Sequence, residues 1–298
     1  MRTPQHLLLL LACLLGPVSL SAQESSPPAS TSALPSASDP QVVALVQRAL
    51  GALTGGVAVT DITLAGSAHR IAGSDDETGT IIMRATAAGD SRIDLTLPSG
   101  DNTEIRNHSA IPLPNAFPQG ISLVSAIIGS PQPAGAWSGA DGVIHGLHAN
   151  NLLTDPTWFF PGFTLTRIAS GTNYTLSYVG QETISGQSVL HVSAMQQFSN
   201  LSNGPTEVGK LLQHLSQLDI DLDLITLLPK ALRFTTHPDN NANIDIGTVV
   251  QFSDYRLVDG VEVPFRIQKF VNENLTLDIQ LNSSDINTDL SRAHFQFQ

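Results

Sequence analysis

Cysteine is almost missing from this chain, which contains one cysteine, Cys13, among 298 residues. Cys13 lies in an N-terminal apolar segment that we expect to be removed, so the mature protein would contain no thiol. This excludes disulfides, thiolate metal sites and cysteine nucleophiles. An exported protein without these devices depends on its apolar core for stability.

Positive charge is also scarce. Lysine and arginine together number 14, against 26 aspartates and glutamates, and the formal net charge is −12. Binding to nucleic acid or to an anionic membrane surface requires a basic cluster, and none stands out. The sequence therefore predicts no nucleic-acid partner, and the acidic balance by itself is typical of a soluble protein.

Enzyme motifs are missing as well. The chain has no G-x-S-x-G elbow. His145 and His148 are three residues apart, a spacing that points them to opposite faces of a strand, and no metal-ligand spacing links the scattered residues His69, His191, His214 and His294. A Ser/His/Asp triad built from distant positions stays open. We predict a protein with no enzymatic activity, no catalytic residue, no cofactor and no metal site.

An apolar run from Leu7 to Leu15 follows the cation Arg2, and Gly16-Pro17 and small residues follow the run. This layout predicts a secretory signal peptide at residues 1–22, cleaved before Gln23. The run is too short to favour a membrane span, which disfavours an uncleaved anchor. We therefore predict an exported protein that is periplasmic or extracellular.

A lipoprotein anchor is the alternative to a cleaved secretory signal peptide in the same N-terminal segment. Leu10-Leu11-Ala12-Cys13 resembles a lipobox, the motif after which bacterial lipoproteins are acylated on cysteine. Leu14 and Leu15 continue the apolar run beyond Cys13, where a tether normally becomes polar. Anchoring through Cys13 is therefore disfavoured.

Residues 23–38 are mostly serine, proline and alanine. Such a segment buries too little apolar surface to offset the entropy of ordering, so we predict a disordered linker. No second segment of this composition follows. Residues 39–298 are therefore predicted to form one domain, with an insertion at 107–161.

The clearest pattern in the chain lies between Thr248 and Leu281. Val261, Val263, Phe265 and Ile267 alternate with polar residues, as a strand with one buried face requires. Asp259-Gly260 predicts a two-residue hairpin turn before this strand, and Asn272-Glu273-Asn274 predicts the next reversal. The segment is a three-stranded meander with one apolar face that another element must cover.

The remainder repeats this pattern around two predicted helices. Asp39 is a candidate N-cap, Pro40 suits the first helical position, and apolar residues continue to Leu53 before Gly55-Gly56. Alternating apolar residues predict strands from Val57 to Leu97, with a turn at Ser74-Asp75-Asp76-Glu77. The alternation begins again at Tyr174, and the second helix is predicted at Gly204 to Gln217. We predict a mainly β (α+β) fold, an antiparallel half-barrel meander whose concave face is covered by helices.

The 107–161 insertion interrupts the strand pattern. It is rich in proline, contains an apolar run, Ile121 to Ile128, that could form a helix, and holds both tryptophans. Loops of this length often bind ligands or form lids. The candidate apolar lining of a ligand site is Trp137, Trp158, Phe159, Phe160, Phe163, Val263, Phe265 and Ile267. The alternative is that the aromatic rings plug one end of the sheet.

Three carboxylates alternate with apolar residues at Asp219, Asp221 and Asp223. Together they could collect a cation such as calcium, but the glycine and distal glutamate of an EF-hand loop are missing. We interpret them instead as a solvated strand face that charge protects from edge-to-edge pairing.

The early helix, the long meander, the phrase LLPKALRF at 227–234 and the hairpin VQFSDYRLVDGVEVPFRIQ at 250–268 together resemble the LolA/LolB-like superfamily of lipoprotein localisation factors. This resemblance implies an incomplete barrel whose apolar concave face holds acyl chains during transport across the periplasm. The family's barrel arginine, which fastens its lid, has no match here, and no residue role is carried over.

Two functions follow from these expectations. The first is an exported, non-catalytic carrier that binds a lipid or other apolar ligand, such as an acyl chain, in the cell envelope. The second is a tethered structural or protein-interaction module of the periplasm or cell surface, without a small-molecule ligand.

Overall fold

The structure is a computed structural model that describes residues 38–108, 134–170, 173–184, 186–198 and 207–297. The predicted signal peptide, the lipobox at Cys13, the linker as far as residue 37 and the run from Ile121 to Ile128 lie outside these residues. No helix among the described residues combines the length and the apolar character that crossing a membrane requires.

Thirteen antiparallel strands of the described residues form one open sheet. They are β1 (Asp61–Ala72), β2 (Asp75–Thr86), β3 (Ser91–Leu97), β4 (Gly100–Asn107), β5 (Ala134–Ser138), β6 (Ile144–Gly146), β7 (Tyr174–Ile184), β8 (Gln187–Gln196), β9 (Leu218–Asp223), β10 (Pro229–Thr236), β11 (Ile246–Val258), β12 (Val261–Val271) and β13 (Asn274–Ile286). The predicted fold class, a mainly β half-barrel with helices, is confirmed.

The strand order is β6-β5-β4-β3-β2-β1-β13-β12-β11-β10-β9-β8-β7. Two meanders, β1 to β6 and β7 to β13, therefore meet where β1 pairs with β13, with Ile62 opposite Ile286. Since β6 and β7 are the two edge strands, residues 147–173 must connect opposite edges of the sheet. We call this stretch the crossing segment.

Three α-helices accompany the sheet in the described residues: α1 (Pro40–Thr54), α2 (Pro161–Ala169) and α3 (Glu207–Leu215). Helix α1 has the predicted ends. The Asp39 side chain accepts a hydrogen bond of 2.8 Å from the Gln41 N–H, and Gly55 ends the helix with a φ of 58°. Such a left-handed cap is favourable for glycine because it lacks a Cβ atom.

The apolar core lies on the face of the sheet that packs against α1 and α2, which we call the inner face; the opposite face is the outer face. Helix α1 contacts α2 and β12. The predicted inward residues Val261, Val263 and Ile267 are fully buried, and Phe265 is buried as well. Two-residue turns at Asp259-Gly260 and Asn272-Glu273 have positive φ values, which match the twist of hairpin strands.

Helix α3 lies on the outer face. It packs against β8, and its buried Leu212 and Leu215 are separate from the core on the inner face. The helix ends at Leu215, two residues before the predicted Gln217, and residues 204–206 of the predicted helix lie outside the described residues.

Three local expectations are wrong. Asp75 already begins β2, and the turn lies at Gly73-Ser74. The 107–161 insertion, which we expected to interrupt the strand pattern, contains strands β5 and β6. These strands are too short for an alternation of apolar and polar residues to be visible. Strand β9 lies between β8 and β10 rather than at an edge, and Asp221 is 0% exposed, so the solvated-face interpretation fails for that residue.

Candidate ligand-binding site

A cavity of about 770 Å³ opens at one end of the inner face. It lies beside the turns after β1 and β12, and residues of β1, β3, β4, β5, β12, β13 and the crossing segment line it. None of the lining residues comes from α1. The cavity is therefore a part of the inner face beside the helix-covered core.

One wall of the cavity is apolar. It consists of Ile71, Ile93, Leu95, Val271, Leu275 and Leu277. Ile93 and Leu277 also pack against the core, so the cavity continues the apolar surface that the helices cover elsewhere. Aliphatic side chains of this kind can contact an apolar ligand without leaving polar groups unsatisfied.

Trp158 separates this cavity from the core. The indole belongs to the core and is only 5% exposed, yet one side of it lines the cavity. Its ring meets Phe159 edge to face, with ring centroids 5.7 Å apart. On the cavity side the Lys269 Nζ lies 4.6 Å from the indole centroid, a favourable cation–π distance.

Trp137 lies on the rim of the cavity. It is 42% exposed and stacks on His145 of β6, with ring centroids 4.4 Å apart. Glu104 of β4 is its cross-strand partner. The rim therefore presents an indole that remains accessible from solvent.

Three charged residues face the cavity: Arg70, Glu104 and Lys269. Arg70 Nη1 lies 3.9 Å from the Glu77 carboxylate. Lys269 is half-buried, and burial lowers its pKa, although the nearby Glu104 acts in the opposite direction. Asn102, Thr103 and Ser138 add neutral polar groups. The site thus combines an apolar wall with a few polar groups, as binding cavities for small molecules generally do.

Buried polar contacts fix the crossing segment that carries Trp158. Asp155 Oδ1 accepts hydrogen bonds of 2.9 Å from the Thr157 N–H and hydroxyl, and Asp155 Oδ2 lies 2.9 Å from Arg167 Nη2 in α2. Burial alone would raise the pKa of Asp155, but Arg167 and hydrogen bonds from Thr164 and Thr157 outweigh it, so this pKa lies below its ordinary value.

The crossing segment is also attached to the sheet. Arg106 of β4 donates hydrogen bonds to the Thr154 hydroxyl, at 2.9 Å, and to the Asn151 carbonyl, at 2.6 Å. A smaller cavity of about 270 Å³ lies beside these contacts, lined by Arg106, Asp155 and Arg167 among others. Asp155 and Arg167 already pair with each other, and Arg106 already donates to Thr154 and Asn151, so the larger cavity is the better candidate site.

The structure divides the predicted lining residues into two groups. Trp137 and Trp158 line the large cavity. The others are core residues that do not line it: Phe159, Phe160, Phe163, Val263, Phe265 and Ile267. Phe160 and Phe163 pack edge to face, with ring centroids 5.0 Å apart, so these two rings are part of the packed interior.

Arg70, Glu104 and Lys269 are not among the residues that the sequence predicts for the site. A signal for Lys269 is present, because it follows Ile267 by two residues and pairs with Leu277 on the inner face. The alternation that predicts the buried face of β12 would place an apolar residue there. A charged residue in phase with a buried stripe therefore indicates where the core ends.

Comparison with known sequences gives no relative: no family model and no curated protein matches the chain. Solved structures are similar to it in fold. An outer membrane lipoprotein-sorting protein domain from Vibrio parahaemolyticus is 8% identical, with 86% of this chain and 96% of that chain covered and a TM-score of 0.49. A DUF1329 family protein from Desulfovibrio piger is 11% identical, with the same coverages, 86% and 96%, and a TM-score of 0.49.

A LolA superfamily protein from Nitrosomonas europaea is also similar. It is 8% identical, with 86% of this chain and 97% of that chain covered and a TM-score of 0.45.

Proposed function

We propose that this protein is an exported, non-catalytic carrier that binds an amphipathic molecule with an acyl chain and an acidic headgroup. The cavity of about 770 Å³ on the inner face is the observation that carries this proposal. Pockets for small molecules typically measure about 300–1,000 Å³. The acyl chain would lie along the wall formed by Leu95, Leu275 and Leu277.

The acidic headgroup follows from the cations of the cavity. Among the described residues Lys269 forms no ion pair, and its ammonium faces the cavity beside the Trp158 indole. A half-buried ammonium gains most from an anionic partner, because its hydration is already incomplete. Arg70, held only loosely at 3.9 Å from Glu77, is a second candidate donor.

Lipid extraction and a binding assay test this proposal. Protein purified from cells is extracted with organic solvent, and the extract is analysed by mass spectrometry; binding of a fluorescently labelled long-chain fatty acid is then measured. Leu277→Trp should place a larger ring on the apolar wall of the cavity and weaken both signals. Ile82→Trp is the control, since Ile82 is 37% exposed on strand β2 and does not line the cavity.

An unchanged affinity for the fatty acid in Leu277→Trp would place the ligand elsewhere. Wild-type protein that carries no lipid and binds no fatty acid would overturn the carrier proposal. The tethered interaction module would then be the better hypothesis, and crosslinking to a partner protein in the absence of lipid would favour it.

A further inference from the structure

Two histidines and one carboxylate meet beside the outer face, away from the cavity. His214 lies in the last turn of α3, His237 directly follows β10, and Asp245 directly precedes β11. One coordinating atom from each lies within 4.8 Å of the other two. The packing of α3 on the outer face brings the helix residue to the β10–β11 loop.

The distances match those between ligands of one metal ion. Asp245 Oδ1 lies 2.9 Å from His214 Nε2 and 3.4 Å from His237 Nδ1. Two ligand atoms that each lie about 2.0–2.2 Å from a shared metal are separated by about 3–3.6 Å, depending on the bond angle. Asp245 therefore already lies at a suitable separation from both imidazoles, whose nitrogens lie within 4.8 Å of each other.

The surroundings of His237 also suit a metal ligand. Its ring is buried, and its Nε2 lies 3.3 Å from the Thr235 hydroxyl. With Nδ1 bound to a metal, Nε2–H would donate to Thr235, the type of contact that orients metal-binding histidines. The Ile244 carbonyl oxygen, 3.1 Å from Nδ1, offers a fourth ligand.

We propose that His214, His237 and Asp245 form a binding site for a divalent transition-metal ion of the zinc class. Two imidazoles and a carboxylate are the ligands that zinc and its neighbours favour, whereas calcium and magnesium prefer oxygen alone. His214 and Asp245 are partly exposed and border a cavity of about 380 Å³, which gives an ion a path from solvent. The net charge of −12 also favours accumulation of cations.

A second cluster on the outer face has similar components but a different character. Glu182, His191 and Asp221 also bring ligand atoms within 4.8 Å of one another. Arg233 donates hydrogen bonds of 2.7 Å to Asp221 and 3.1 Å to Glu182. A guanidinium thus already neutralises these carboxylates, and the described residues show no such cation paired with Asp245.

Calorimetric titration with zinc tests the site on the purified protein, prepared without a histidine tag. Wild type should bind one ion per chain. His214→Ala and Asp245→Asn should each weaken binding by more than about 100-fold, because outer contacts to ligands alone contribute about 10–100-fold. Thr235→Val, which removes such an outer contact, should lower the affinity by about 10-fold or more.

His69→Ala is the matched control. His69 pairs with Asp76 at the protein surface, but the described residues place no third ligand beside them, so zinc binding should be unchanged. Cobalt gives a second readout in the wild type, since coordination by nitrogen and oxygen in a tetrahedral site produces strong visible absorption. The proposal is overturned if the wild type binds no stoichiometric ion, or if binding survives both His214→Ala and Asp245→Asn.

Discussion

The Lys269 ammonium lies 4.6 Å from the centre of the Trp158 indole, at the boundary between the packed core and the cavity. The indole covers the last layer of the core, and the ammonium is the first charged group beyond it. One side chain therefore excludes water from the core while its neighbour offers a charge to the cavity. This arrangement leads to separate predictions for stability and for binding.

Lys269→Gln should weaken binding of a fatty acid by about 10- to 100-fold, the effect of losing one hydrogen bond to a charged group. Binding of the corresponding fatty alcohol should change little, because it carries no charge. Equilibrium titration of both ligands measures the difference. Arg266→Gln is the control, since Arg266 pairs with Asp278 on the outer face, and equal losses for acid and alcohol would contradict the headgroup assignment.

Binding of the acidic ligand should also depend on pH. Burial lowers the pKa of Lys269 below its ordinary value of 10.5, so the ammonium loses its proton at a lower pH than a free lysine. Affinity for a fatty acid should therefore decline as the pH rises towards 10, before an exposed lysine would titrate. The decline should be missing in Lys269→Gln, and titrations across alkaline pH provide the measurement.

Trp158→Ala should lower the free energy of unfolding by about 3–5 kcal/mol, the usual cost of removing a large buried ring. Trp137→Ala should cost less than about 1 kcal/mol, because Trp137 is 42% exposed on the rim. Urea unfolding followed by circular dichroism compares the two. If the two substitutions lowered the free energy of unfolding by similar amounts, Trp158 would not be a core residue while Trp137 is a rim residue.

Val263→Asp should destabilise the protein by several kcal/mol, since it places an unpaired carboxylate in the inner-face core near α1. Val263 is fully buried. Leu257→Asp in the adjacent strand β11 is the control, because Leu257 is 69% exposed and should change stability by less than about 0.5 kcal/mol. Thermal melting measures the stability of both variants. If Val263→Asp were as stable as the wild type, Val263 would not lie on the buried inner face.

Acid should weaken the anchoring of the crossing segment. The pKa of Asp155 in the folded protein lies below its ordinary value of 3.8, so its ion pair with Arg167 stabilises the fold at pH values above this and is lost as the pH falls through the lowered pKa. Asp155→Asn should lower the free energy of unfolding by about 2–3 kcal/mol at neutral pH. This is less than the loss expected on breaking a fully buried ion pair, because Arg167 is 30% exposed. Unfolding of both proteins from pH 7 to pH 2 tests this, since the variant should show the weaker acid dependence.

Gly66→Ala should disturb the pairing of β1 with β13. A Cβ atom at Gly66 would lie 2.2 Å from the Gln280 carbonyl oxygen, next to the register shift between Ala65 and Gly66. Relief of such a contact requires backbone movement, at a cost of about 1–3 kcal/mol. Gly247→Ala is the control, with no atom within 4 Å of its added Cβ, and equal stabilities in urea unfolding would refute the prediction.

Local sequence signals account for the parts of the fold that are correctly predicted. Asp39 and Gly55 determine the ends of α1 through a side-chain cap and a left-handed residue, both of which depend only on near neighbours. The alternation around Val263 and the Asp259-Gly260 turn identify β12 in the same way. These signals act within a few residues, so a single sequence contains them.

The rest of the site depends on distant contacts. Strands β5 and β6 have too few residues for an alternation to be visible. The crossing segment is attached to the sheet by Arg106, which lies 48 residues before its partner Thr154. A cavity is a space that no side chain fills, and no local sequence pattern specifies where such a space lies. His214, His237 and Asp245 show no ligand spacing because α3 and the β10–β11 loop meet only in the folded protein.

The ladder between β1 and β13 has a consequence for the time course of folding. Every other strand pair joins neighbours along the chain, whereas Ile62 and Ile286 are more than two hundred residues apart. Hairpins close quickly, and contacts across a long separation form slowly. Until this last ladder closes, β1 and β13 each expose an unpaired backbone edge, the kind of surface that recruits chaperones or promotes aggregation. The newly made chain is therefore most prone to aggregation after its two meanders have formed and before β1 pairs with β13.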